Sequence, residues 1–293
     1  MKSLGNYRED SPVTSEQYKQ IEKAIHRAAM TNMVARNLAP ISGPFGLAKQ
    51  SLTYNSLTEM GAAGISMSFI TAGEGAVDIA PTTLPIPIIQ KPFRISYRDW
   101  LSSRTYGTPL DTLNVASATY QVMKLEEDVL IDGHAADGSN YDVSGFYQRG
   151  NNAEATSKDF GTSTNGIAKA ALAMALLRTD NIYPPYNMVL HSTQMNELWS
   201  TVLSGTAVFE YEAISKQLGG NDRIYETNSL TAATGMLMSD GDRGFFDIIM
   251  GVDLGAELEA QGLANNKDIL GIVYEALTPR VKETNAICQL TNI

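Results

Sequence analysis

Cysteine is nearly absent from this 293-residue chain, and Cys288 alone cannot build an intrachain disulfide framework. It lies in the apolar run Ala286-Ile287-Cys288, the setting of a buried, inert thiol. Histidine is almost as scarce. His26, His134 and His191 are far apart, and no H-x-x-x-H or C-x-x-C spacing occurs, which excludes a zinc site. No G-x-S-x-G elbow presents a nucleophile, so each histidine reads as structural and no catalytic residue is assigned. Phosphate cradles are missing too: Gly73-Glu74-Gly75 has no third glycine of a dinucleotide fingerprint, and no G-K-[ST] exists. The stretch Asp137-Gly138-Ser139-Asn140-Tyr141-Asp142 has the acidic look of a calcium loop but lacks the glycine and terminal glutamate at the required spacing. No metal and no cofactor is expected.

Charge is also in short supply. Only 18% of residues are charged, below the usual quarter. The formal net charge is −10 and no basic run appears, so a reader of nucleic acid is not expected. Apolar stretches are only a few residues long, too short to span a membrane, and residues 1–13 lack the apolar centre of an export signal.

What remains is a 43% hydrophobic chain with ample material for a core. Thr14 and Gln17 form a capping box for a helix over 14–36. Its single apolar stripe of Tyr18, Ile21, Ile25 and Ala28 needs a surface to lie against, either in its own chain or on a neighbour. Between 37 and 98, Pro40, Pro44, Pro81, Pro85, Pro87 and Pro92 preclude long helices. Half-buried strands are predicted where Ile65, Met67 and Phe69 alternate with serines, and where Phe93, Ile95 and Tyr97 alternate with polar residues. So long an extended segment suits an arm laid over a partner better than a loop inside a compact unit.

The strongest helical signal follows, from Asp111 or Thr112 to Gly133, with Val115, Ala118, Val122, Leu125 and Val129 as its seam. At 1.5 Å per residue it is about 30 Å long. The acidic run Glu126-Glu127-Asp128 near its C-terminal end opposes the helix dipole and is read first as a solvated face, with a charged contact to a neighbour as the alternative. Helices are then predicted over 167–178, 193–203 and 209–218, and strands at 188–190, 236–238, 245–250, 269–277 and 285–290. The mixed order argues for an α+β fold.

This order of elements resembles the Hong Kong 97-type shell fold of tailed-phage major capsid proteins and of encapsulins. Ser11-Pro12-Val13-Thr14 followed by Tyr18-x-x-Ile21-Glu22 is similar to the opening helix of encapsulins. Phe93 to Trp100 (FRISYRDW), Gly107 to Thr112 and Glu126 to Gly133 (EEDVLIDG) resemble the encapsulin-related branch of phage capsid proteins. Tyr186 to Leu190 and Gly244 to Gly251 (GFFDIIMG) resemble axial-domain segments of encapsulins. The resemblance implies an N-terminal arm (1–44), an extended loop (45–98), a peripheral domain (99–139 and 266–293) and an axial domain (140–265). It further implies inter-subunit contacts through Tyr18, Ile21 and Ile25 on the helix and Ile65, Met67 and Phe69 on the loop.

On this reading the chain is no enzyme but a viral major capsid protein. It assembles with copies of itself as pentamers and hexamers into an icosahedral shell around double-stranded DNA. Portal, scaffold or decoration proteins are further partners, the DNA is not bound sequence-specifically, and no membrane takes part. The implied location is the virion capsid, assembled in the host cytoplasm. The alternative is an encapsulin nanocompartment enclosing a cargo enzyme, with the N-terminal helix forming part of the cargo dock. Two departures from the phage pattern stand out. Residues 50–90 contain no lysine for isopeptide cross-linking, and 293 residues leave no room for a long cleaved scaffolding region.

Overall fold

A computed structural model describes residues 14–29, 33–57, 79–107, 110, 112–134, 143–220, 223–259 and 268–293. The expected capping box opens helix α1 (Ser15–Ala29): the Gln17 N–H donates to Thr14 Oγ1 at 3.3 Å, and the Thr14 N–H donates to Gln17 Oε1 at 3.1 Å. A short helix α2 (Ala35–Leu38) leads into β1 (Ile41–Ser42). Next, β2 (Ser51–Leu57) and β3 (Ile79–Pro85) pair antiparallel as a two-stranded ribbon that joins neither main sheet.

Strand β4 (Ile88–Ile95) buries Phe93 and Ile95 as the alternation predicts. Tyr97 does not continue it but begins helix α3 (Tyr97–Tyr106). The cap of α3 comes from far along the chain, because Asp268 Oδ1 accepts the Tyr97 N–H at 2.9 Å. The predicted long helix is α4 (Leu113–Ile131). It stops at Gly133, whose φ is +100° and where an added Cβ would come within 2.5 Å of Gly145 N and Val143 O. That close approach belongs to the small pair β5 (Gly133–His134) and β6 (Val143–Ser144).

The rest of the chain supplies β7 (Asn152–Glu154), α5 (Asn165–Thr179), β8 (Tyr186–His191), α6 (Ser192–Ser200), α7 (Glu210–Leu218), β9 (Ile224–Thr227), β10 (Thr234–Ser239), β11 (Phe246–Glu259), β12 (Ile269–Val281) and β13 (Ile287–Thr291). They build two main sheets. One has the order β1-β11-β12-β4, and α4 lies against its β4 and β12 strands. The other, β7-β13-β10-β8-β9, mixes parallel and antiparallel pairs and packs against α5, α6 and α7. Ala170 and Ala173 are fully buried, so the small side chains of α5 allow the helix to approach its neighbours closely.

Two expectations require correction. The seam of α4 contains Val115, Ala118, Val122 and Val129 as predicted, but Leu125 is 39% exposed and Glu126 is 0% exposed in its place. Thr119, Met123 and Leu130 are buried as well, so the buried face of α4 extends past position 126 and leaves Leu125 at its opposite edge. The acidic run is therefore not a solvated face. The two main sheets draw their strands from segments distant in the chain. Strand β11, from the segment 140–265, pairs with β12 and β4, whereas β13, from 266–293, pairs with β10 and β7. Which sheet a strand joins depends on long-range hydrogen bonding that strand order alone does not carry. The strand expected around Ile65, Met67 and Phe69, the Gly73–Gly75 turn and the 137–142 loop lie outside the described residues.

Candidate functional site

Arg36 on α2 gathers carboxylates from three other elements. Its Nε donates to Glu126 Oε1 at 2.5 Å and its Nη2 to Glu126 Oε2 at 3.1 Å. The same Nη2 reaches Glu275 Oε2 on β12 at 3.0 Å, and Nη1 reaches Asp253 Oδ1 on β11 at 3.3 Å. Glu126 and Glu275 are both fully buried, while the Arg36 side chain keeps a quarter of its surface. Next in sequence, Glu127 Oε2 accepts the N–H groups of Val34 at 3.1 Å and Ala35 at 3.3 Å, and the Thr227 hydroxyl donates to its Oε1 at 3.2 Å. One carboxylate thus satisfies two amides that open α2 and have no partner within the helix.

Electrostatics follow from this geometry. Burial alone would lower the Arg36 pKa, but its hydrogen bonds and ion pairs with Glu126, Glu275 and Asp253 more than offset that and hold it charged. Burial, reinforced by the neighbouring Glu126 charge, pushes the Glu275 carboxyl up to about 9, against the opposing pull of Arg36. Burial also raises Glu127, although its bonds to Ala35, Thr227 and Val34 work the other way.

Two further clasps hold distant parts together. At the base of the ribbon, the Tyr54 hydroxyl donates to Val281 O at 3.2 Å, and the Arg280 guanidinium lies 5.7 Å from the Tyr54 ring centroid. Arg280 is bonded in turn to Asp247, which also accepts the Ser42 hydroxyl at 3.0 Å. In the second sheet, fully buried Lys169 donates to the carbonyls of Glu154 (2.8 Å), Thr156 (2.7 Å) and Thr291 (2.8 Å), pinning α5 to β7 and β13.

The expected contact residues are placed unevenly. Ile21 and Ile25 are 1% and 3% exposed within the chain's own core, where α1 packs on α4, so their surface is already used inside the subunit. Tyr18 is half-buried, with its hydroxyl 3.5 Å from Ala256 O. Ile65, Met67 and Phe69 fall outside the described residues. Apart from Leu172 and Tyr183, the exposed large apolar side chains among the described residues fall mainly in three other stretches of chain. Ile41, Phe45, Leu47 and Ile88 flank the ribbon, Leu101, Tyr106, Leu113 and Tyr120 lie on α3 and the first half of α4, and Trp199, Val202 and Phe209 lie between α6 and α7. Leu125 lines a groove of about 240 Å³ with Pro87, Ile88, Ile89, Gln90, Val129, His134 and Val143. Exposed apolar groups of this kind are candidate surfaces for association.

His191 and Cys288 are occupied structurally. His191 Nδ1 accepts the Thr193 N–H at 3.2 Å and so caps α6. Cys288 is buried, and burial pushes its thiol up to about 12. Among the described residues, no group of three or more His, Cys, Asp or Glu could hold a metal ion.

An α+β subunit with an arm helix on a spine helix, a projecting ribbon and two sheets has the architecture of a shell-forming, capsid-type protein. Solved structures share it: the virus-like particle of Pyrococcus furiosus has a TM-score of 0.68 at 16% identity, covering 94% of this chain and 99% of that one. The capsid of Myoviridae phage XM1 has a TM-score of 0.65 at 14% identity, covering 88% and 90%. The fold is the Hong Kong 97-type capsid fold. A type 1 encapsulin shell protein of Myxococcus xanthus is 26% identical over 96% of this chain and 94% of its own length. The profile of the Linocin M18 family, described as encapsulating protein for peroxidase, matches residues 4–267, and the chain belongs to that family.

Proposed function

We propose that this chain is the shell subunit of an encapsulin nanocompartment, a closed protein container that encloses a separate cargo enzyme and is not itself a catalyst. The observation that carries this reading is the family match over residues 4–267, supported by a relative aligned along nearly its whole length and named a type 1 encapsulin shell protein. This reverses the order of preference drawn from the motifs at 93–100 and 126–133, which favoured a phage capsid. The phage likeness is one of fold, at 14% identity, and fold alone does not choose between contents.

In the proposed assembly, contacts with other copies form through the apolar groups at the ribbon base and between α6 and α7, while α1 stays seated on its own subunit. The ribbon reaches over a neighbour, and the contacts expected of Ile65, Met67 and Phe69 belong to the same proposal. Contacts of this kind between different surface patches close into rings when the rotation permits. The formal charge of −10 disfavours phosphate-backbone binding by the wall.

Purifying particles from the native cell and identifying their contents tests the proposal. Closed shells containing one abundant protein and no packaged genome are expected. Tailed particles filled with double-stranded DNA would overturn the proposal in favour of a viral capsid.

A further inference from the structure

The charge cluster at Arg36 contains more acid than base. Two fully buried carboxyls, Glu126 on α4 and Glu275 on β12, share one guanidinium, and the third carboxylate around it, Asp253, is exposed. Among the described residues, Glu275 Oε1 has no hydrogen-bond partner although it is inaccessible to solvent. An ionised oxygen in that position would be neither hydrated nor bonded, which is costly. A neutral carboxylic acid fits. The groups facing Glu275 are Arg36 from α2, Glu126 from α4 and Asp253 from the bulged stretch of β11. From β4 its register partner is Ile89, which is uncharged. Glu127 lies beside Glu126 but is committed to the amides of Val34 and Ala35.

We infer that Arg36, Glu126 and Glu275 form a proton-held latch: a proton retained by the carboxyl pair lets one guanidinium fasten the α1–α2 segment to α4 and β12, and loss of that proton loosens the segment while the second sheet stays folded. The latch is internal to one subunit, so it stands whether the shell encloses protein or DNA.

The direction of the pH effect follows from linkage. The closed latch holds Glu275 protonated up to about pH 9, whereas an opened, hydrated carboxyl ionises near its ordinary value of about 4.3. The closed form thus binds more protons between those limits. Its stability is complete in acid, declines as pH rises, and is exhausted above about pH 9. With one proton linked, the opening constant rises about tenfold per pH unit in that interval.

Amide hydrogen exchange on the assembled full-length chain reads this directly, once corrected for the pH dependence of intrinsic exchange. Protection in peptides from 14–29 and 33–38 should fall about tenfold per unit between pH 6 and pH 9, while β10 and β13 keep theirs. In Glu275→Gln, which mimics the neutral acid, protection in the same peptides should not vary with pH. A flat profile in the unmodified chain, an unchanged slope in Glu275→Gln, or equal losses in β10 and β13 would each overturn the latch. Should Glu275→Gln fail to fold, infrared spectroscopy of the unmodified protein decides. A protonated carboxyl band that persists at pH 7 and disappears near pH 9 supports the inference, and its absence at pH 7 refutes it.

Discussion

Replacing Arg36 with methionine keeps an unbranched apolar stem and removes the charged guanidinium. The structure then leaves two fully buried carboxyls without their counter-ion. Orphaning a buried charge costs about 3–5 kcal/mol. The low end, about 3 kcal/mol, applies because the pair can retain protons and Arg36 is itself partly exposed. With an unfolding entropy of about 2.1 cal/mol/K per residue, a chain of this length loses about 5 °C in Tm. Thermal unfolding followed by circular dichroism, at one chain concentration because assembly adds stability by mass action, measures the loss. The informative comparison is a cycle with Glu126→Gln. If the deficit comes from uncompensated charge, the double variant should recover at least about 1.5 kcal/mol relative to the sum of the single losses. Additivity within about 0.5 kcal/mol would refute the electrostatic reasoning.

Other consequences are accessible to simple assays. Ile21→Ala removes a side chain buried within the subunit and should cost about 3 kcal/mol in unfolding measurements; unchanged stability with impaired assembly would mean that Ile21 faces a neighbour. Cys288 should remain unreactive toward a thiol reagent at pH 8 in the native protein and react fully after denaturation, because burial pushes its thiol up to about 12; rapid labelling of the native chain would contradict its placement. Phe209→Glu charges an exposed apolar group between α6 and α7 and should leave the subunit folded but reduce the particle fraction in size-exclusion chromatography. Normal particle yield would remove that patch from the assembly surface.

Local signals in the sequence carried much of the fold. The Thr14–Gln17 capping box, the seam at Val115, Ala118, Val122 and Val129, and the stop at Gly133 depend on neighbours within a turn or two, and each is where the periodicity placed it. Helix α3 was hidden because its cap, Asp268, is distant in sequence, and because Tyr97 extends the alternation of Phe93 and Ile95. The charge cluster was hidden for the same reason. Glu126 and Glu127 look like a solvated run until Arg36, Glu275, Val34 and Ala35 arrive from other elements. A signal was nonetheless present, since the apolar Met123 and Leu130 carry the buried face past position 126 and leave Leu125 at its edge. Motif resemblance found the shell fold but favoured phage contents, because wall segments of related shells are shaped by the same packing whatever lies inside.

The central claim, that this chain alone forms a closed shell, is tested most directly by electron cryomicroscopy of particles made by the chain expressed by itself. The account predicts closed icosahedral particles with the α1–α2 segment packed on α4 of its own subunit. Monomers, isolated rings or open sheets that close only when a portal or scaffold protein is supplied would contradict it.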